Sequence, residues 1–314
     1  MELGPVLRVE EPGMFTTIQD LGRPGRRSAG VPPGGALDRY ALSAANLLVG
    51  NTEGAACLEC ALSGPTLLAL RSCLIAVTGA DFGATLNGQD LPSWTSVFLS
   101  EGDRLAFAGR RWGGRAYVAV GGGLAADRWL GSASTYLLVG RGGVHGRALK
   151  ARDVLAAAGP ALHPSVAGRD LPEQLRPPYS ADPELAAIEG PHLRLLAPAS
   201  RRVLFRQPWT VSRDSDRMGY RLEGAPLTIK STELVSFGLA MGCLQVPPSG
   251  QPILLMADHQ TAGGYPVVAC VARCDLPLAA QLLPGEHLHF RLETVEAAQA
   301  AWRRMRAGLD GLKR

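Results

Sequence analysis

Asp258, His259, Gln260 and Thr261 stand in a row directly after an apolar run, Ile253 to Met256. An acid, an imidazole, an amide and a hydroxyl at one strand end place several hydrogen-bonding groups at a rim. Gly263 and Gly264 follow, with Tyr265 and Pro266, and glycines there let another backbone or a ligand come close. Upstream, Pro247, Pro248 and Gly250 make a rigid turn. The whole stretch, GCLQVPPSGQPILLMADHQTAGGYP from Gly242 to Pro266, reads as turn, buried strand and polar rim in succession. The plain alternative is a decorated turn whose side chains satisfy their own backbone.

A second cluster is SRDSDRMGYR, Ser212 to Arg221, with Asp214, Asp216, Arg213, Arg217 and Arg221 just before a strand. Guanidinium groups grip carboxylates and phosphates with a two-pronged fit, so this run suits an anionic ligand. A surface salt-bridge network is the other account of it. Asp20, Arg23, Arg26 and Arg27 share a constrained loop rich in glycine and proline. Paired-carboxylate chemistry stays open, because spacing does not say which of Asp20, Asp38, Asp214, Asp216 and Asp258 meet in space.

Other chemistries can be set aside. Gly121 to Gly123 follows a strand but lacks the Lys-Ser/Thr of a P-loop, and no GxSxG, HExxH or Rossmann fingerprint occurs. The run from Gly140 to Arg147, with Arg141 and Arg147 among its glycines, is either an anion cradle of backbone N–H groups or an ordinary loop. Cys57 and Cys60 have CxxC spacing without a second pair, so the six cysteines read as small core residues of a reducing compartment. His287 and His289 alternate onto one strand face and, with no third ligand near, read as a surface pair; no metal site is expected.

The elements that must position these groups are mostly strands. Short apolar runs separated by turn pairs such as Gly64-Pro65 and Asn87-Gly88 recur from Ala55 to Phe107 and again from Leu193 onward, which is the rhythm of antiparallel barrels or sandwiches. Expected strands in the second half include Leu193 to Leu196, Trp209 to Val211, Leu227 to Ile229 and His287 to Arg291. Ala36 to Val49 has helical periodicity, stopped by Gly50-Asn51, with Asp38 favourably placed near its start. A closing helix is expected from Thr294 to Ala307. Pro160 to Gly190 is proline-rich and polar, the best linker, so the expected division is 1–170, a linker at 171–190, and 191–314. Hydrophobic residues make up 46% and the net charge is only +4, which argues against a nucleic-acid partner. No apolar run approaches the roughly 20 residues needed to span a bilayer, and no signal-peptide core stands at the N-terminus. The chain reads as cytoplasmic, with no membrane partner.

Three motifs in this order, TTIQDLGRPG…GVPPGGALDRYALSAANLLVGN, SDRMGYRLEG and QVPPSGQPILLMADHQTAGGYP, resemble the biotin-dependent carboxyltransferase-like family. The resemblance runs from about Val9 to Phe290, and it is nearest to the 5-oxoprolinase branch, with urea carboxylase and a sporulation-kinase regulator also in the family. It implies a mainly β fold of two tandem cyclophilin-like β-barrel domains with a few helices. It also implies one component of an ATP-dependent enzyme that opens 5-oxo-L-proline to L-glutamate, working with partners like the A and B subunits of 5-oxoprolinase. ATP with Mg2+ would enter at the level of the complex, and no biotin would be attached to this chain. On that resemblance Asp258 is the candidate base or positioning acid, Gln260 a donor to a carbonyl, and Arg217 and Arg39 anchors for substrate or phosphate. Arg23, Gln245, Gly263, Gly264 and Tyr265 complete the implied substrate site. Phe237 replaces a usual acid, Ala133 a usual arginine, and Ala151-Arg152-Asp153 a usual glycine-aspartate turn. A carboxyltransferase component acting on urea or another amide, or a regulatory binding subunit without chemistry, would carry the same motifs.

Overall fold

The computed structural model describes residues 4–160, 166–230 and 234–313, and the chain is mainly β, as the strand rhythm predicts. It divides into two units, each with its own core.

In the first unit, six short strands form one antiparallel sheet, in the order Val154–Ala156, Pro5–Glu11, Thr66–Ala69, Arg104–Phe107, Ala84–Leu86, Gln89–Asp90. A second sheet orders Phe15–Gln19, Cys57–Ala61, Trp112–Val120, Cys73–Asp81 and Ser96–Leu99. Leu7, Leu67 and Leu105 of the first sheet join Ile18, Leu58 and Val118 of the second in one buried cluster. The helix Arg39–Leu48 packs on the second sheet, so strands such as Cys57–Ala61 are buried on both faces rather than alternating. Asp38 caps this helix by accepting from the Ala41 N–H at 2.9 Å. The Asp38 N–H in turn donates to the Tyr117 hydroxyl, which donates to the buried Glu59 carboxylate. Cys57 and Cys60 are fully buried, and an odd separation within one strand sends them to opposite faces.

The second unit is a closed barrel in the order Glu184–Glu189, Val267–Val271, Cys243–Gln245, Ile253–Leu255, Gly219–Glu223, Trp209–Val211, His287–Glu293. Every pairing is antiparallel except the closure of Glu184–Glu189 on His287–Glu293, which is parallel. Trp209, Leu244, Leu254, Val268 and Phe290 fill its interior. The expected strand at Leu193 to Leu196 is a 3-10 turn, Leu193–Leu195, and Leu227 to Ile229 contributes only a single bridge, from Ile229 to Leu196. The closing helix runs Val295–Asp310.

The units are not two successive blocks of sequence. Pro24–Leu37 belong to the second unit, and the residues from Ala307 onward belong to the first. Within the expected 171–190 linker, Glu184–Glu189 is a barrel strand and Glu173–Leu175 a 3-10 turn. Residues 161–165 of the proline-rich stretch lie outside the described residues. Among the described residues no helix is long and apolar enough to cross a membrane.

Candidate functional site

The polar rim is built on the barrel's outer face. Cys243–Gln245 and Ile253–Leu255 are antiparallel neighbours, joined by a turn closed by the Gly250 N–H donating to the Pro247 carbonyl at 2.9 Å. Leu244 and Leu254 point into the core, so strand alternation sends Gln245, Ile253 and Leu255 outward. The segment Gln260 to Tyr265 then covers Gln245. The Gln260 amide donates to Gln245 Oε1 at 3.1 Å, and the Gln245 amide donates to the Tyr265 carbonyl at 3.2 Å. Gly263 sits close in this crowding: a Cβ there would stand 3.1 Å from the Leu239 side chain and 3.4 Å from the Gln245 amide nitrogen. A Cβ on Gly264 would meet the Leu234 carbonyl at 3.1 Å.

Behind the rim, Arg217 and Asp258 form an ion pair, Nε to Oδ2 at 2.8 Å, with side chains only 12% and 10% exposed. Arg217 Nη2 also donates to the Gly35 carbonyl at 2.6 Å, and the Asp258 N–H donates to the Arg217 carbonyl at 2.9 Å. Both groups thus tie the loop before Gly219–Glu223 to the loop after Ile253–Leu255. His259 is fully buried. Its Nδ1 lies 2.6 Å from the Gln260 carbonyl, an acceptor only, so the proton sits on Nδ1.

Two adjoining clefts open at this rim. One, of about 530 Å³, is lined by Asp214, Asp216, Arg221, Gln245, Gln260 and Tyr265 over an apolar floor of Ile253 and Leu255. The other, of about 730 Å³, shares Gln245, Gln260 and Tyr265 and adds Lys230, Gly263 and Gly264. Both volumes lie in the range of small-molecule sites. The cleft walls offer acids, cations and neutral amides together, a set that can bind a small polar anion carrying an amide.

Of the nine expected site residues, Gln245, Gln260, Gly263, Gly264 and Tyr265 come together as cleft wall, and Arg217 and Asp258 pair behind them. Arg23 and Arg39 belong to the first unit. Arg23 is buried there, its guanidinium 5.2 Å from the Trp129 ring centroid and 5.5 Å from that of Tyr136, and it donates to the Ser134 carbonyl. Arg39 opens the helix Arg39–Leu48. Arg221, from the run Ser212 to Arg221 that suits an anionic ligand, lines the first cleft with Asp214 and Asp216, whereas Lys230 was not among the expected site residues. The outward alternation of Gly219–Glu223 is the signal for Arg221, and Lys230 stands out as one of only three lysines among 32 basic residues.

The other candidates resolve into structure. Arg147 binds Asp153 two-prongedly at 2.7 and 2.8 Å, holding that carboxyl below its usual range. A Cβ on Gly142 or Gly146 would run into the backbone of Ser134 or Gly140, so this glycine run packs against neighbouring backbone. Ala133, at an expected arginine position, donates its N–H to Asp20, and Phe237 lies 4.9 Å from the His192 ring. His287 contacts Thr210, and His289 contacts Asp182. Among the described residues no three His, Cys, Asp or Glu side chains are grouped to hold a metal ion.

Known proteins resemble the chain along most of its length. The family model described as carboxyltransferase domain, subdomain A and B, matches residues 29–292. The chain is 40% identical over 299 residues to the 5-oxoprolinase C subunit of Escherichia coli, covering 94% of each chain. It is 36% identical to the 5-oxoprolinase C subunit of Haemophilus influenzae, over 95% of this chain and 94% of the other. The solved K. lactis urea amidolyase superposes with a TM-score of 0.93 at 28% identity over 99% of this chain, which spans 20% of that much longer protein.

Proposed function

We propose, from the premise that this chain belongs to the carboxyltransferase domain family, subdomain A and B, that it serves as one component of an ATP-dependent 5-oxoprolinase. In this reading the complex opens 5-oxo-L-proline to L-glutamate with hydrolysis of ATP. One observation carries it: the likeness to the C subunits of two bacterial 5-oxoprolinases spans 94% of each of them. The solved urea amidolyase matches closely in fold, but this chain is a fifth of it, so that likeness supports the architecture more than the activity. The partners are proteins like the A and B subunits of 5-oxoprolinase.

The cleft supports the reading chemically. A five-membered lactam carrying a carboxylate needs amide partners for the ring N–H and carbonyl, and a cation for the carboxylate. Gln245 and Gln260 supply the amides, and Lys230 and Arg221 the cations. Gln260 also keeps Gln245 oriented, since its amide already donates to Gln245 Oε1. The Arg217–Asp258 pair fixes the two loops that carry these groups; its charges neutralise one another, so it positions rather than anchors. For ATP with Mg2+, Asp214 and Asp216 beside Arg221 are the kind of donor set that takes a magnesium-bound phosphate: carboxylates for the metal, a guanidinium for phosphate oxygens. ATP would supply the phosphoryl group that activates the ring amide oxygen toward water. No biotin is attached to this chain in this reading.

The test is glutamate release from 5-oxoproline and ATP by this chain assembled with its two partners, and by the partners alone. Glutamate only when this chain is present supports the reading. An assembled complex that forms none, yet carboxylates urea when given carboxybiotin, sinks it in favour of a carboxyltransferase role. Within the active complex, Gln260→Ala raises KM for 5-oxoproline about three- to tenfold, the value of one hydrogen bond to an uncharged group; an unchanged KM removes Gln260 from the binding site.

A further inference from the structure

Cys243 and Cys270 face each other across two neighbouring barrel strands, Cys243–Gln245 and Val267–Val271, directly opposite in register. The Val271 N–H donates to the Gly242 carbonyl at 2.8 Å, one residue outside the pair on each strand. That bond makes Cys243 and Cys270 a non-hydrogen-bonded pair, the position where opposed Cα atoms come nearest, at about 4.5 Å. This separation falls within the range a disulfide spans, about 4.4 to 6.8 Å. Their sulfurs lie 3.4 Å apart, and both cysteines are free thiols. Cys270 is partly exposed, while Cys243 is nearly buried among Leu239, Leu255 and Val267.

We propose that Cys243 and Cys270 are a modification site, a cross-strand dithiol that small hydroperoxides convert to a disulfide and that dithiol reductants restore. The Cys243 thiolate attacks one peroxide oxygen. A sulfur–oxygen bond forms, the oxygen–oxygen bond breaks, and the departing hydroxide takes up a proton to become water. Cys270 then gives up its proton and attacks the Cys243 sulfur. The sulfur–sulfur bond forms, the sulfur–oxygen bond breaks, and the second oxygen leaves as water. Two thiols are oxidised and hydrogen peroxide is reduced to two waters, or an organic hydroperoxide to one alcohol and one water.

The surroundings favour Cys243 as the attacking group. The hydrogen bond from Cys270 brings its thiol down to about 7 against the opposing pull of burial, with the Arg27 charge helping. Burial pushes Cys60, Cys73 and Cys274 up to about 12 and Cys57 well above its ordinary value. Thiolate, the reactive form, is therefore concentrated at Cys243. Cys243 lies two residues from Gln245 on the same strand face, so the modification sits beside the cleft. The geometry stands whether or not the chain works on 5-oxoproline.

Treating the folded chain with hydrogen peroxide, then unfolding and alkylating it, tests the proposal by mass spectrometry. Both cysteines fall in one tryptic peptide, between Lys230 and Arg273. That peptide is expected to be lighter by two hydrogens and unalkylated at both cysteines, to regain both alkyl groups after dithiothreitol, and to be the only cysteine peptide so changed. In Cys270→Ser the reaction stops at a Cys243 sulfenic acid, trapped by dimedone. Full alkylation of both cysteines in the wild-type chain, at a peroxide dose that oxidises the exposed Met14, overturns the proposal. Bond formation that is no faster in the folded chain than in guanidine overturns it as well, since the strand register would then contribute nothing.

Discussion

Asp258→Ala is expected to lower the melting temperature of the purified chain by roughly 6–12 °C and to remove most of the turnover of the assembled complex. The substitution leaves Arg217 inside the protein, bonded to the Gly35 carbonyl, without the Asp258 carboxylate. Taking one partner from a buried ion pair costs about 3–5 kcal/mol. The lower figure applies here, because both side chains keep about a tenth of their surface exposed and water can reach the guanidinium. At about 2–4 °C for each kcal/mol in a protein of this size, about 3 kcal/mol gives the stated shift. Asp258→Asn separates two roles. It keeps an oxygen that can accept from Arg217 Nε but no carboxylate. If Asp258 positions the two loops, the asparagine variant recovers much of both stability and turnover. If Asp258 is the base, the asparagine variant folds and melts near the parent yet stays as inactive as the alanine variant. Differential scanning fluorimetry beside the glutamate assay reads both.

The second large effect is in the first unit. Asp20 receives the Gly22 and Ala133 N–H groups at 2.7 Å each, the Ser132 hydroxyl at 2.6 Å and the Ser134 hydroxyl at 2.5 Å. Four buried or half-buried donors converge on one carboxylate, and Arg23 fastens the same segment by donating to the Ser134 carbonyl. Asp20→Ala orphans all four. The hydroxyls can turn to other acceptors, whereas the two amides cannot, and each buried donor without a partner costs about 1–3 kcal/mol. A loss of about 4 kcal/mol is expected in urea unfolding of the chain. A midpoint within error of the parent would show that these donors find other partners and that the carboxylate holds nothing.

Asp20 also shows where the sequence stops being readable. In the sequence it is one acid among several beside arginines, as suited to chemistry as Asp258. Only the fold places it over Ser132 and Ser134, more than a hundred residues on. Arg23 is similar: its type suits an anion, but it lies buried against Trp129 and Tyr136, and burial is not written in type or spacing. The strands were more legible because turn pairs punctuate them, and the helix Arg39–Leu48 because its apolar residues recur at three and four. The expected strand at Leu193 to Leu196 has the right composition, yet the chain turns there and bonds locally from the Leu196 N–H to the Leu193 carbonyl. Within the rim, the nearness of Gln245, Gln260 and Tyr265 was partly legible, since one turn and one strand separate them. The meeting of Cys243 with Cys270 was not, because a register shift between Leu244 and Gln245 decides it.

The allotment of Pro24–Leu37 to the second unit bears on how the chain can be cut. A fragment beginning at Pro178 would contain every barrel strand, yet it would lack Gly35, the acceptor for Arg217, and Leu37, which packs in the barrel's core. A fragment ending at Pro177 would lack Lys313, which bridges Glu53 at 2.7 Å. No single scission therefore releases either half intact, although the proline-rich stretch looks like the natural place for one. On the ribosome the same arrangement departs from the usual order in which an N-terminal domain finishes first. The first unit waits for residues translated after the whole barrel, and the barrel draws on a segment translated before most of the first unit, so the two halves mature together.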